Sequence, residues 1–226
     1  MINTLFIEKD LQEHPRAKQL LKELPHKKLQ TVERYDDVFG RVKKPYLQKR
    51  ENLNAFVAKK RGQLVKEAPD AYGLKGDPHY YFIHAYNCIY ECEYCYLQGH
   101  FHSPDLVFFV NHEDIIEEMK SIIEKAPAGQ TPWFHAGEFS DSLALSHMTG
   151  ELPLYFDFFE RHPEAKLELR TKSIQIRPLL NQAPLENVIT TFSLSPHERA
   201  KRSDLKTPST KARLKAMAQL SEAGHP

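Results

Sequence analysis

Three cysteines lie close together in the sequence, at Cys88, Cys92 and Cys95. They are all the cysteines of the 226-residue chain, so no disulfide framework spans it. Thiolates at this spacing on a short loop can converge on one inorganic iron–sulfur cluster. Because a fourth cysteine is missing, a four-iron cluster held here would leave one iron open for a substrate or cofactor, as catalytic zinc sites leave one position open. The spacing therefore predicts a catalytic metal site.

Two other kinds of site fit the same cysteines. A closed structural zinc site would need one more ligand, and His100 or His102 would complete a Cys3His set of plausible spacing. A redox pair formed by Cys92 and Cys95 would leave Cys88 without a role. The cysteine spacing alone leaves zinc as a competitor, so the surrounding sequence has to decide.

The elements that must position these cysteines alternate between strand and helix after residue 76. Strands are predicted at 80–86, 131–137, 167–171 and 188–194, and helices at 113–125, 152–160, 177–181 and 210–223. The cysteines follow the first strand as a loop. This alternation predicts the α/β class with a parallel sheet, in which functional residues gather at the C-terminal ends of the strands.

Residues 1–75 are predicted to form a basic, helical N-terminal extension before a second domain at 76–226. Apolar residues with helical spacing precede Pro25, at Ala17, Leu20, Leu21 and Leu24. The basic stretch 41–50 is interrupted by Pro45 and is not one continuous helix. Lys and Arg number 17 in this part, against 10 Asp and Glu. Such a surface can meet an anionic partner such as nucleic acid, although a solvated helix surface is the favoured interpretation.

The composition is that of an ordinary globular protein, with 41% hydrophobic and 27% charged residues. No apolar stretch approaches membrane-spanning length, and charges appear too early at the N-terminus for a secretory signal. We therefore predict a cytoplasmic protein without a membrane partner. The chain stops at residues 224–226, directly after a predicted helix and where another strand is expected. We interpret it as truncated at its C-terminus.

The cysteine segment resembles a known signature once its context is considered. The spacing of the cysteines, with Tyr94 directly before the last one, is similar to that of the radical S-adenosylmethionine (AdoMet) superfamily. The string 92–98 closely resembles the cluster loop of the spore photoproduct lyase family. Three later segments fit the same family in order, at 140–141 with 147–149, at 170–173 and at 193–196.

This resemblance implies a partial (β/α) barrel of the radical AdoMet type and a [4Fe–4S] cluster on Cys88, Cys92 and Cys95. It also implies that the enzyme cleaves AdoMet to methionine and a 5′-deoxyadenosyl radical, which abstracts a hydrogen atom from the substrate. The implied partner is an electron donor such as flavodoxin or ferredoxin. By the same resemblance, Tyr94 lies against the adenine and Tyr96 matches a catalytic tyrosine near the radical path. The family positions that contact AdoMet correspond to Ser140, Lys172 and Ser193.

The sequence departs from the family at Glu138. The matching position in spore photoproduct lyases is a cysteine that returns a hydrogen atom to the product radical, and a carboxylate cannot do this. Gly137 and Glu138 instead resemble the second-strand motif of other radical enzymes, in which Glu accepts hydrogen bonds from the methionyl ammonium group. We therefore expect a lyase-like relative that does not repair thymine photoproducts. A zinc-stabilised nucleic-acid-binding module and an electron-transfer iron–sulfur protein remain the alternatives.

Overall fold

The computed structural model describes residues 2–40, 53–69 and 76–226. The strands in these residues are β1 (Ile2–Glu8), β2 (His26–Val32), β3 (Ala55–Ala58), β4 (Val65–Glu67), β5 (His79–Phe82), β6 (Ala85–Tyr86), β7 (Glu91–Cys92), β8 (Leu106–Phe109), β9 (Trp133–Ala136), β10 (Lys166–Thr171), β11 (Val188–Phe192) and β12 (Asp204–Leu205). The helices are α1 (Pro15–Glu23), α2 (Leu97–His100), α3 (His112–Lys125), α4 (Ser146–Thr149), α5 (Leu152–Arg161), α6 (Arg177–Leu180), α7 (His197–Ser203) and α8 (Thr210–Glu222).

Most of the described strands form two five-stranded sheets. The first has the order β2-β1-β3-β8-β6, and the second has the order β11-β10-β9-β5-β4. In the second sheet β5, β9, β10 and β11 run parallel, and only the edge strand β4 is antiparallel. The parallel strands follow one another in chain order with helices between them, which confirms the predicted α/β class and the partial barrel. The described residues form no closed barrel.

The chain passes from one sheet to the other between β5 and β6. The sequence predicts one strand over 80–86, whereas the structure divides it at Ile83 and His84. The backbone N–H of Ile83 donates to the carbonyl of Leu64 beside the second sheet, and the carbonyl of His84 accepts from Phe109 in the first sheet. The backbone thus changes partners within two residues. This crossing delivers the chain to the cysteine loop that follows β6.

The second sheet carries its main core on one face, against α3, α5 and α8. Phe134, Leu167 and Leu169 from the strands pack there with apolar helix residues such as Ile115 and Phe159. Full burial of each such side chain contributes about 1.5–3 kcal/mol relative to exposure. Side chains alternate along a strand, so the residues between these core positions point to the opposite face. That opposite face is the polar inner side of the partial barrel.

The predicted helical extension is wrong for the described residues of the N-terminal part. The predicted helix before Pro25 is present as α1, but the same part of the chain also forms the strands β1, β2, β3 and β4. β3 pairs with β8 and β4 pairs with β5, so both sheets contain strands from either side of residue 75. The domain division at that residue stays a prediction, and the basic stretch 41–50 lies outside the described residues. None of the helices described is long and apolar enough to cross a membrane.

Candidate active site

The cysteine loop begins at Asn87, which adopts a left-handed backbone conformation with φ of 63°. Asparagine tolerates this conformation better than most residues. Its side-chain amide donates to the carbonyls of Ser103 and Asp105, at 2.8 and 2.7 Å. These bonds fix the turn by which the chain leaves the first sheet and enters the loop.

The three cysteines lie together in one small apolar cluster and form no disulfide. Cys95 donates its backbone N–H to the carbonyl of Cys92 at 3.0 Å, which closes a tight turn. Burial raises the pKa of the Cys88 and Cys92 thiols, so metal binding has to displace their protons. The residues that pack around them are Ile89, Tyr90, Ala144 and Leu145. Three thiols on one apolar loop are a donor set that would suit an iron–sulfur cluster.

His100, one of the two histidines that could complete a Cys3His zinc site, lies among aromatic rings. The His100 ring makes aromatic contacts with Tyr96, Phe101 and Phe139, at centroid distances of 5.5, 4.7 and 5.1 Å. The ring of His100 is therefore part of an aromatic cluster. Within residues 2–40, 53–69 and 76–226, no group of three or more His, Cys, Asp or Glu side chains is arranged to hold a single metal ion.

The loop after β9 makes its turn at Gly137, whose φ is +85°. A Cβ atom at this position would lie 2.6 Å from Ser142 Oγ and 3.3 Å from the carbonyl oxygen of Arg170. Both the backbone conformation and the close approach therefore require glycine. This turn places the following residues over the C-terminal end of β10, beside the cysteine loop.

Asp141 ties this loop to the end of β10. Its Oδ1 accepts hydrogen bonds from the backbone N–H groups of Leu143 and Ala144, at 3.0 and 2.9 Å, and from the hydroxyl of Thr171 at 2.6 Å. Its Oδ2 accepts from the backbone N–H of Lys172 at 2.8 Å. Burial raises the pKa of this carboxyl, and the four hydrogen bonds oppose that effect. The motif at 140–141 can be recognised from the sequence, whereas this role of Asp141 cannot.

The residues proposed from the sequence to contact the cofactor meet around the cysteine loop. Lys172 Nζ lies 5.5 Å from the centre of the Tyr94 ring. Its charge also acts to lower the pKa of Cys92, against the larger effect of burial. The hydroxyl of Ser140 lies 3.2 Å from Nε2 of His84, a histidine whose pKa burial lowers to about 4. The amine of Lys172, the ring of Tyr94 and the hydroxyl of Ser140 thus lie around the cysteine loop.

Tyr96 and Glu138 contact each other directly. The Tyr96 hydroxyl donates to the backbone carbonyl of Glu138 at 2.6 Å and lies 3.3 Å from its Oε1. The Tyr96 side chain is 52% exposed, so this pair lies at the open side of the site.

Ser193 follows β11, and its backbone N–H donates to the carbonyl of Thr171 at 2.9 Å. All the predicted site residues therefore lie on the cysteine loop or at the C-terminal ends of β9, β10 and β11.

A polar network on the inner face of the second sheet could not be predicted from the sequence. Glu168 binds His135 Nδ1, accepts from Arg170 Nη2 at 2.8 Å and accepts from the Thr191 hydroxyl at 2.7 Å. His135 Nε2 in turn lies 2.9 Å from Nδ1 of His79. Burial alone would raise the pKa of Glu168, but these partners outweigh it and lower the pKa to about 2. The network links β5, β9, β10 and β11.

Replacing Glu168 by glutamine is expected to flatten the acid limb of the stability curve. The lowered pKa means that ionised Glu168 stabilises the fold fully above pH 4.5, its ordinary pKa, and loses this effect as the pH falls through about 2. The loss is on the order of 3 kcal/mol. Urea unfolding measured at steps from pH 7 to pH 2 tests this, with the exposed Glu160→Gln as control. Equal acid limbs for wild type and Glu168→Gln would contradict it.

Comparison with known proteins places the chain in a family. The family model described as "Spore photoproduct lyase" matches residues 1–226. The spore photoproduct lyase of Bacillus subtilis (strain 168) is 28% identical over 144 residues, which cover 63% of this chain and 42% of that protein. The matched region therefore covers about two fifths of the length of this curated relative.

Solved structures with the same name share the fold. Spore photoproduct lyase complexed with dinucleoside spore photoproduct superposes with a TM-score of 0.81 at 20% identity, covering 100% of this chain and 66% of that one. A substituted spore photoproduct lyase with bound AdoMet and dinucleoside spore photoproduct gives a TM-score of 0.80 at 19% identity, with the same coverage. The family model covers every residue of the chain, and these solved structures share the chain's fold. The chain therefore belongs to the spore photoproduct lyase family.

Proposed function

We propose that this chain is a radical AdoMet enzyme that binds a [4Fe–4S] cluster and cleaves AdoMet to start a reaction on its substrate. The observation that carries the proposal is the meeting of three unbridged cysteines with Lys172 and Tyr94 at the C-terminal ends of parallel strands. A structural neighbour with bound AdoMet supports the choice of cofactor. Parallel α/β folds place their chemistry at this end of the sheet.

The chain's own residues divide the work of holding these groups. Cys88, Cys92 and Cys95 would hold the cluster, and the missing fourth cysteine leaves one iron for the cofactor. When bound, the cluster and AdoMet supply the one-electron chemistry that removes a hydrogen atom from the substrate. Lys172 would neutralise a carboxylate as a charged donor, and the exposed Tyr94 ring offers a face for the adenine.

Ser140, Ser193 and Glu138 would complete the cofactor site. Ser140 offers a hydroxyl beside the neutral His84 ring. Ser193 is fixed to the end of β10 through its backbone. Glu138 would accept hydrogen bonds from the methionyl ammonium group, and the contact with Tyr96 holds its backbone in place. A buried or half-buried carboxylate stabilises an ammonium group more than a neutral amide does.

The substrate we propose is a nucleic-acid component other than the thymine photoproduct. The structural neighbours bind dinucleoside spore photoproduct, which supports the substrate class. Glu138 occupies the position where, by resemblance, the lyases have a hydrogen-donating cysteine, and a carboxylate has no such hydrogen to give. The three cysteines of the chain are all assigned to the cluster. An electron donor such as flavodoxin or ferredoxin, and a cytoplasmic location, belong to the same proposal.

Replacing Glu138 by glutamine is expected to weaken AdoMet binding while leaving the iron content unchanged. The substitution keeps the size of the side chain and removes the charge that pairs with the ammonium group. Loss of one charge-assisted hydrogen bond costs about 1.5–3 kcal/mol, which corresponds to roughly 10-fold to 150-fold in the dissociation constant. Isothermal titration of the anaerobically reconstituted protein with AdoMet measures it, with Glu160→Gln as the matched surface control.

Wild-type affinity in Glu138→Gln would mean that Glu138 does not bind the ammonium group. The two alternative functions give different results in the same samples. An electron-transfer protein would carry the cluster without cleaving AdoMet, and a zinc-stabilised nucleic-acid-binding module would carry zinc without sulfide. Conversion of thymine photoproduct by the wild-type chain would overturn the proposed choice of substrate.

A further inference from the structure

The cysteine loop is held from outside by a segment that begins directly after the motif at 193–196. This segment, the strap, comprises α7, β12 and the residues up to Thr207. β12 pairs antiparallel with β7, so that Asp204 lies opposite Cys92. The backbone N–H of Glu93 donates to the carbonyl of Ser203 at 2.9 Å. The middle cysteine is thus part of a small two-stranded sheet whose other strand belongs to the strap.

The strap is fixed to the barrel by a buried arginine from α8. Arg213 is fully buried, and its Nη2 lies 2.9 Å from Oδ2 of Asp204, which is equally inaccessible. The hydrogen bonds of the guanidinium go to the carbonyl of Pro208 at 2.9 Å, the carbonyl of Ser193 at 2.8 Å and the hydroxyl of Thr207 at 2.5 Å. Each of its three nitrogens therefore has an acceptor, as a buried guanidinium requires.

The same ion pair reaches two residues of the proposed cofactor site. Asp204 Oδ1 accepts a hydrogen bond from the Tyr94 hydroxyl at 2.5 Å. On the other side, Arg213 holds the carbonyl of Ser193 at the end of β11. A continuous line of contacts therefore runs from Ser193 through Arg213 and Asp204 to Tyr94. It fixes the distance between the end of a barrel strand and the cysteine loop.

A role in stability alone does not explain this arrangement. Burying two charges costs solvation free energy, and apolar residues of similar volume often stabilise a fold as well as a buried ion pair does. Apolar residues could not hold the Tyr94 hydroxyl and the Ser193 carbonyl in fixed directions. The directional contacts, rather than the burial, are what the pair adds to this site.

We propose that Asp204 and Arg213 are positioning residues that hold Cys92 and Tyr94 in register with the end of β11 for cluster and adenine binding. The proposal rests on the proposed function for the identity of the ligands. The pair acts through the strap and does not touch the bound groups itself. Without the pair, β12 loses its anchor, Cys92 loses its cover and the Tyr94 ring loses its fixed orientation.

The first test uses the full chain without added iron, so it is independent of the proposed function. Cys92 is only 4% exposed, and thiol alkylation reports its opening. In Asp204→Asn and Arg213→Met, the alkylation rate of Cys92, followed by peptide mass spectrometry, is expected to rise roughly tenfold or more. Lys206→Met is the matched control, because it removes only the exposed ion pair between the strap and Glu91. An unchanged Cys92 rate in both folded variants would overturn the proposal.

The second test separates positioning from folding. Tyr94→Phe keeps the ion pair and removes only the hydroxyl that Asp204 holds. In this variant, the dissociation constant for AdoMet is expected to rise roughly tenfold, whereas that for methionine, which lacks the adenine, stays the same. Equal weakening of both ligands, or of neither, in the folded Tyr94→Phe protein would contradict the proposal. Failure of the wild-type chain to bind AdoMet would refute the proposed function, while the alkylation result would still decide the role of the strap.

Discussion

Replacing Cys92 by alanine is expected to abolish assembly of the four-iron cluster and, with it, AdoMet cleavage. Cys92 is the middle cysteine and the most buried of the three, and its strand β7 is paired to β12. The sequence has no fourth cysteine to replace it. Removing one of three ligands leaves two thiolates, which cannot retain a cluster that normally uses three or four. Iron and sulfide analysis after anaerobic reconstitution measures the effect.

Glu93→Ala is the matched control, because Glu93 is an exposed neighbour on the same loop and its backbone contact with Ser203 survives the change. It should assemble as much cluster as the wild type. Cys88→Ala and Cys95→Ala are expected to behave like Cys92→Ala. One zinc per chain without sulfide in the wild type would contradict the prediction and restore the Cys3His interpretation.

The second half of the fold could be predicted because its pattern is local. The helix over 113–125 has apolar residues at helical spacing, and the structure gives α3 over His112–Lys125. The strand at 167–171 and the helix at 152–160 are likewise present within one residue of the predicted bounds. These segments bury one face against the common core, so periodicity alone reveals them.

The N-terminal strands could not be predicted because their structure depends on distant partners. β2 is largely exposed and polar, and it exists as a strand through its parallel pairing with β1. β3 lies in turn between β1 and β8, which are separated by about a hundred residues in sequence. Strand propensity depends strongly on such pairing, which the local spacing of apolar residues does not reveal.

The candidate site shows the same division between features with a local sequence pattern and features that depend on distant contacts. The cysteine spacing and the ordered motifs identified the residues that meet around the loop, such as Lys172 and Tyr94. The buried supports were missed, because nothing in a sequence distinguishes the buried Arg213 from the exposed cations of the same helix. Glu168 likewise has the pattern of an ordinary strand residue, although its side chain joins β10 to β9 and β11.

Replacing Asp141 by alanine is expected to destabilise the fold by about 4 kcal/mol or more. The substitution leaves four donors without their acceptor, among them the Thr171 hydroxyl and the backbone N–H of Lys172. Each buried donor left unsatisfied costs about 1–3 kcal/mol. The total is a large fraction of the 5–15 kcal/mol that typical domains have, and it corresponds to a fall of roughly 8–16 °C in Tm.

Thermal unfolding of the metal-free chain followed by circular dichroism measures this loss, and two variants make it specific. Asp141→Asn keeps one acceptor oxygen, but its amide group points an N–H at another hydrogen-bond donor. The stability of this variant should lie between those of Asp141→Ala and the wild type. Asp157→Ala, on the exposed side of α5, should change stability by less than about 0.5 kcal/mol. If Asp141→Ala unfolded within a degree or two of wild type, the loop after β9 would not depend on this carboxylate. The placement of Ser140 and Lys172 beside the cysteines would then need another cause. If the expected loss is found, the Asp141 carboxylate is the group that holds the C-terminal ends of β9 and β10 beside the cysteine loop.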